Sequence, residues 1–395
     1  MKKVLLSLLA ILAFVSAWAD EPFRNHRYDS FKTLAPAEGS IIFIGNSITD
    51  MHCWPEAFKT STGEYLPIVN RGNSGTYSTE QSNNLESYIN GQPKKVFMMI
   101  GTNDIATRGL NFTGEQVLAQ IKSMVERIWM RSPETKVYLY CILKSNYGYR
   151  VESTWLHANE LIKEYVTTTN SDKLKYVDIY DELACVADGG VWSYDKLHLT
   201  AAAYEIWCQN ICEHLAEGED FTVSTVYPGG TSTKQNTGGH GGTHGMRATY
   251  FSMMPISNED ILVFGDEMIK NGEWQELLGN PNVKNRGSGW GYGGDIATTS
   301  KFVDATYAST GVEKKDAKAI FIYTGISDCN GSTSIATIKN NYKALVDKVA
   351  QKSPASIIYL MGLTPTNNAN TTSRAKELND YLASLATAND KIRYV

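Results

Sequence analysis

The second half of this chain repeats the first. Ile41-Ile42-Phe43-Ile44-Gly45-Asn46-Ser47 recurs, roughly 220 residues on, as Ile261-Leu262-Val263-Phe264-Gly265-Asp266-Glu267. Val69-Asn70-Arg71-Gly72 recurs as Val283-Lys284-Asn285-Arg286-Gly287. The run from Val96 to Asp104 recurs from Ile320 to Asp328, and Lys175-Tyr176-Val177 recurs as Arg393-Tyr394-Val395. Arg27 and Phe31 precede Gly45 by the spacing at which Arg247 and Phe251 precede Gly265. Matches in one order at a nearly constant offset mark an internal duplication, so the fold must be one that the chain can build twice.

The pattern inside the first copy says which fold that is. Ile41–Ile44, Leu66–Val69, Val96–Ile100, Val137–Leu143 and Tyr176–Ile179 are short, continuous apolar runs. Such runs predict parallel strands buried on both faces. Between them, Val117–Met130 and Leu156–Thr167 carry apolar residues at helical spacing, and Thr200 reads as the N-cap of a final helix over Ala201–Ala216. Alternating strands and helices predict an α/β fold: a doubly wound, parallel five-stranded sheet in a flavodoxin-like α/β/α sandwich, duplicated.

The boundaries follow from composition. Met1-Lys2-Lys3, an apolar run from Val4 to Val15 and Ser16-Ala17-Trp18-Ala19 read as a signal peptide over residues 1–19. The run is too short to span a bilayer, and no later stretch is long and apolar enough to do so. The chain is therefore expected to be exported, periplasmic or secreted, after cleavage near Ala19. Residues 20–220 form the first domain. Residues 221–245, rich in Gly, Thr and Ser, form a linker. Residues 246–395 form the second copy, which lacks a counterpart of the final helix and is expected to be truncated or part of a fragment. The formal net charge of -5 and the lack of a basic block exclude nucleic acid as an expected partner. The six cysteines show no framework spacing and are expected to be free. His240 and His244 lie in a glycine tract, and nothing predicts a metal or an organic cofactor.

In an open parallel sheet, ligands bind beyond the carboxyl ends of the strands. Ser47 follows the first strand, Gly72 the second and Asn103 the third, while Asp195-Lys196-Leu197-His198 follows the fifth. A hydroxyl, an imidazole, a carboxylate and amide donors are what acyl transfer through a serine ester requires. His198 is the expected base and Asp195 its orienting carboxylate. The backbone N–H groups of Ser47 and Gly72 and the side-chain amide of Asn103 are the expected oxyanion donors. Asp104 reads as structural.

These blocks resemble the SGNH hydrolase (GDSL esterase) superfamily, whose motif residues Ser, Gly, Asn and His match Ser47, Gly72, Asn103 and His198, with Asp195 in the Asp-x-x-His block. Asn70-Arg71-Gly72 with Ser74-Gly75, and Leu197-His198-Leu199-Thr200, look most like the platelet-activating-factor-acetylhydrolase-like branch. Bacterial carbohydrate O-acetylesterases belong to that branch. Asn46 departs from the family's usual Asp. The resemblance implies a serine esterase acting on small acyl esters, O-acetyl groups on carbohydrate in particular, through an acyl-Ser47 intermediate. A sialate or plant-polysaccharide O-acetylesterase is the expected kind. The rivals are a lipid esterase or lysophospholipase, and a non-catalytic glycan-binding protein.

Trp54, Tyr77, Tyr147, Tyr149 and Trp192 lie near the motif loops and are candidates to stack on sugar rings, with Arg71, Arg108 and Arg150 as candidates to pair with an acidic sugar. The repetition of Arg71 as Arg286 equally suits a structural role. The second copy has Glu267 in the place of Ser47 and Ser327 in the place of Asn103, so it is expected to be a degenerate, non-catalytic unit.

Overall fold

The computed structural model describes residues 24–105, 112–148, 151–227, 243–288 and 295–395. The expected signal peptide, Arg108, Tyr149, Arg150 and most of the glycine-rich linker, with His240, lie outside the described residues. In chain order the first strands are β1 (Ile41–Gly45), β2 (Phe58–Thr60), β3 (Ile68–Gly72), β4 (Lys95–Met99), β5 (Lys136–Tyr140), β6 (Leu174–Val177) and β7 (Val223–Thr225). The others are β8 (Ile261–Gly265), β9 (Val283–Gly287), β10 (Ala319–Tyr323), β11 (Ile357–Leu360) and β12 (Ile392–Tyr394).

They form two five-stranded parallel sheets. The first has the order β3-β1-β4-β5-β6 and the second the order β9-β8-β10-β11-β12. Counting only the strands of each sheet, both read 2-1-3-4-5, the flavodoxin-like winding. The registers repeat too. Gly45 lies opposite Gly72 in the first sheet, and Gly265 lies opposite Gly287 in the second.

The helices repeat with the strands. Gly114–Arg131 buries Val117, Ile121, Met124, Val125 and Ile128. Ile335–Lys352 buries Ile338, Tyr342, Leu345, Val346 and Val349, the same five places. Such i, i+4, i+7, i+8, i+11 spacing sets one apolar stripe against each sheet. Each fully buried apolar side chain contributes about 1.5–3 kcal/mol. The expected final helix is present as Ala201–Ala216 with Thr200 at its N-cap position, but the Thr200 side chain makes no capping hydrogen bond. The Thr200 hydroxyl instead donates to the Val191 carbonyl (2.5 Å), and the Ala201 N–H donates to Thr249 Oγ1 (2.9 Å).

By its contacts the chain divides into two compact units. One runs to Trp54 and takes in Leu66–Asp188; the other comprises Pro55–Tyr65 and Gly189–Val395. The second unit therefore includes a loop and the final helix of the first repeat. Within it β2 pairs antiparallel with β7, so Val223–Thr225, inside the stretch read as linker, form a strand. No helix among the described residues is long and apolar enough to cross a membrane.

Candidate active site

In the first unit, β1 ends at Gly45 and the chain turns directly into the short helix Ser47–Asp50. Asn46 caps that helix: its Oδ1 accepts the Ile48 N–H at 3.0 Å. Ser47 thus takes the first helical position, at the carboxyl end of a central strand, and is 7% exposed. Asn70, on β3, fastens the same helix from the neighbouring strand. Its Nδ2 lies within 3.3 Å of the Thr49, Asp50 and His52 carbonyls.

Gly72 lets that strand come close. A Cβ there would stand 2.3 Å from the Asp50 nitrogen. The Gly72 N–H, however, donates to Asn70 Oδ1 at 2.9 Å. In this arrangement the N–H expected to serve the oxyanion is spent on Asn70. The better candidate is Gly75, in the loop beyond β3. It holds a left-handed φ of +78°, where a side chain is strained. One residue further on, the Thr76 carbonyl accepts the Asn103 side-chain amide at 2.9 Å. Asn103 keeps a second amide hydrogen beyond that bond. The signal for Gly75 was already in the sequence, as the second glycine of Gly72-Asn73-Ser74-Gly75.

Asp104 is structural, as expected. It is fully buried and accepts the Ser78 N–H at 3.0 Å, capping the helix Ser78–Asn84. Burial raises its carboxyl above the ordinary value against the opposing Ser78 hydrogen bonds. Asp328 does the same for Ile296 in the second copy, at 3.0 Å.

Asp195 and His198 lie in the second unit and form a dyad. His198 Nδ1 is 2.6 Å from Asp195 Oδ2. The other carboxylate oxygen, Oδ1, accepts the N–H groups of Leu197 (3.0 Å) and His198 (2.8 Å) and the Ser193 hydroxyl (3.1 Å). The turn needs Lys196 at a φ of +66°, a left-handed conformation uncommon for a residue with a side chain. Burial pushes the Asp195 carboxyl up, but the His198 ring and the backbone donors outweigh it and bring it down to about 2. A carboxylate can only accept, so Nδ1 carries the proton, and in the neutral ring Nε2 is the basic nitrogen.

The proposed substrate contacts fare unevenly. Trp54 is fully buried: its indole donates to the Thr49 carbonyl (2.7 Å) and its ring stacks on Phe43, with centroids 4.5 Å apart. A ring with no exposed face cannot hold a sugar, so Trp54 belongs to the core. Arg71 is likewise fully buried, donating to the Leu34 carbonyl at 2.9 Å, and is structural. Tyr77 is half-buried, its ring 6.2 Å from that of Phe112. Tyr147 is 42% exposed, and Trp192 is half-buried in the second unit. In the second copy the place of Ser47 is taken by Glu267, which is exposed, behind the Asp266 cap.

Residues 43–206 match the profile of the GDSL-like Lipase/Acylhydrolase family. No curated protein matches the chain. Among solved structures, one described as a candidate platelet activating factor from Streptococcus pneumonia is 22% identical, with a TM-score of 0.45, over 52% of this chain and 99% of its own. A carbohydrate esterase family 3 protein from Talaromyces cellulolyticus is 18% identical, with a TM-score of 0.38, over 45% of this chain and 96% of its own. A GDSL-like lipase from Bacteroides thetaiotaomicron is 20% identical, with a TM-score of 0.39, over 49% of this chain and 97% of its own.

Proposed function

We propose, from the match of residues 43–206 to the GDSL-like lipase/acylhydrolase family, that this chain is an exported serine esterase removing small acyl groups, O-acetyl above all, from carbohydrate. Ser47 Oγ attacks the ester carbonyl while His198 Nε2 takes its proton. The amide of Asn103 and the N–H groups of Gly75 and Ser47 receive the oxyanion. The intermediate collapses, His198 returns the proton to the departing sugar hydroxyl, and water then releases the acyl group from Ser47 by the same route.

The observation that carries this reading is the Asp195–His198 dyad, formed at 2.6 Å, in which an ionised carboxylate acceptor calls for the proton on Nδ1. A histidine fixed in that tautomer is what a serine nucleophile needs from its base. The choice of carbohydrate rests on the aromatic residues near the motif loops. With Trp54 removed, Tyr77, Tyr147 and Trp192 are the candidate rings left among the described residues to meet a sugar.

The test compares wild type with Ser47→Ala on p-nitrophenyl acetate. Wild-type turnover that Ser47→Ala abolishes supports the reading, and equal rates end it. A clear preference for octanoyl over acetyl esters would replace the small-acyl reading by a lipid esterase. Acetate release from O-acetylated sialic acid, xylan and pectin then identifies the sugar.

A further inference from the structure

The segment Pro55–Tyr65 follows the Ser47 helix in the chain yet is built into the second unit. Three attachments hold it there. β2 pairs with β7, extended by hydrogen bonds from Ser61 N to the Thr222 carbonyl and from Val226 N to the Ala57 carbonyl, both 2.9 Å. The Lys284 ammonium lies 3.7 Å from the centre of the Tyr65 ring. Arg286 grips Glu56 with both arms, Nη1 to Oε1 at 3.0 Å and Nη2 to Oε2 at 2.9 Å. Arg286 is fully buried and Glu56 is 4% exposed. A two-armed guanidinium–carboxylate pair fixes orientation as well as distance.

The duplication shows what is special here. Arg286 repeats Arg71, and each guanidinium lies 4.9 Å from a phenylalanine ring, Phe31 for Arg71 and Phe251 for Arg286. Arg71 gives its Nη2 to a backbone carbonyl. Arg286 gives its own to a carboxylate 230 residues away in the chain. Two residues before Glu56 stands Trp54, whose indole holds the Thr49 carbonyl inside the Ser47–Asp50 helix and whose ring stacks on β1.

We propose that Arg286 is a positioning residue for the reaction at Ser47. By gripping Glu56 it fixes the segment that leaves Trp54, and through Thr49 the helix that carries Ser47. The proposal rests on the esterase reading above. It gives the second copy a task that needs no serine of its own. Displacing a reacting group by about 1 Å can cost about 10²-fold in rate.

The experiment measures kcat, KM and Tm with p-nitrophenyl acetate for full-length wild type, Ser47→Ala, Glu56→Gln, Arg286→Met, Arg286→Lys and Leu378→Ala. Glu56→Gln and Arg286→Met should lower kcat at least about tenfold with KM changed less than about twofold. Arg286→Lys, which keeps the charge but not the fork, should fall between them and wild type. Leu378, buried in the core of the second unit, controls for lost stability: Leu378→Ala should lower Tm and leave kcat unchanged. If Arg286→Met does not fold, the isosteric Glu56→Gln decides. A kcat within about twofold of wild type in Glu56→Gln and Arg286→Lys overturns the proposal, and so does an equal loss in Leu378→Ala. Wild type without Ser47-dependent turnover ends the esterase reading and this proposal together. Wild-type turnover that the Glu56 and Arg286 variants retain ends this proposal alone.

Discussion

Asn46 and Asp266 do the same work in the two copies: each accepts, through Oδ1, the N–H two residues on, at 3.0 Å from Ile48 and 3.1 Å from Met268. Both are buried. Asn46 does this without charge. Burial raises the Asp266 carboxyl to about 7, helped by Glu267 and Asp328 and opposed by the Met268 N–H. An acid raised on folding stabilises the folded state fully below its unfolded value near 3.8, and that contribution is lost as pH rises through about 7. Asp266→Asn, which installs the first copy's residue, should therefore raise stability at pH 8.5 by on the order of a few kcal/mol and change little at pH 3.5. Thermal unfolding of both proteins at the two pH values checks it. An equal effect at both would show that charge is not the cause.

A second contrast lies four residues further on. Asp50 is buried, pairs with Arg27 Nη2 at 3.0 Å and accepts the Ser74 hydroxyl. Lys270 stands in its place in the second copy. Asp50→Ala strands the Arg27 charge in the interior, which should cost about 3–5 kcal/mol. Replacing both partners by apolar residues of similar size, as in Arg27→Met with Asp50→Leu, should cost clearly less. Denaturant unfolding measures both, and a single-variant loss below about 1 kcal/mol would mean that the pair is not holding a buried charge.

Gly72 and Gly287 are equivalent by register and by crowding. A Cβ would meet the Asp50 nitrogen at 2.3 Å in the first copy and the Lys270 nitrogen at 2.2 Å in the second. Both clashes are with backbone, which cannot swing away. Alanine at either place should destabilise its own unit by about 1–3 kcal/mol or more. Gly72→Ala acts directly on the helix that carries Ser47 and Gly287→Ala only through the neighbouring Arg286, so Gly72→Ala should show the larger kcat loss for an equal loss of stability. Matched unfolding and steady-state rates at Gly72→Ala and Gly287→Ala decide this. Unequal unfolding with equal kcat would be the contrary result.

The fold was legible because it is written twice. Continuous apolar runs gave the buried strands, and the five places from Val117 to Ile128 recur from Ile338 to Val349. The parts of the site that form a local motif were legible too: Asp195 and His198 are three residues apart, and their bond is made within that turn. What escaped depends on where a group spends its hydrogen bonds. Asn70 takes the Gly72 N–H, which no spacing rule announces, and so makes Gly75 the better candidate for the oxyanion donor. Trp54 reads as a sugar platform near Ser47, but Phe43 and Thr49 claim it for the core. That Pro55–Tyr65 belongs with the second unit depends on Glu56 meeting Arg286, a pairing across 230 positions that only the folded chain makes visible.

The dyad gives the last prediction. Asp195 Oδ2 receives the His198 ring, while Oδ1 takes two backbone N–H groups and a hydroxyl. Despite the burial that opposes ionisation, these donors bring the carboxyl down to about 2. A lowered acid stabilises the fold above its unfolded value near 3.8, and the contribution is lost as pH falls towards 2. Asp195 should therefore stay ionised throughout the neutral range and set no limb of the rate profile between pH 5 and pH 9, a window well above that lowered value. Asp195→Asn keeps the size of the side chain but offers Nδ1 an amide whose orientation can favour the wrong tautomer. On the esterase reading it should lower kcat on the order of 10²–10⁴-fold and change KM little. Rate profiles of wild type and Asp195→Asn on p-nitrophenyl acetate supply the check. A variant within about threefold of wild type at neutral pH would show that the carboxylate neither orients nor stabilises the base.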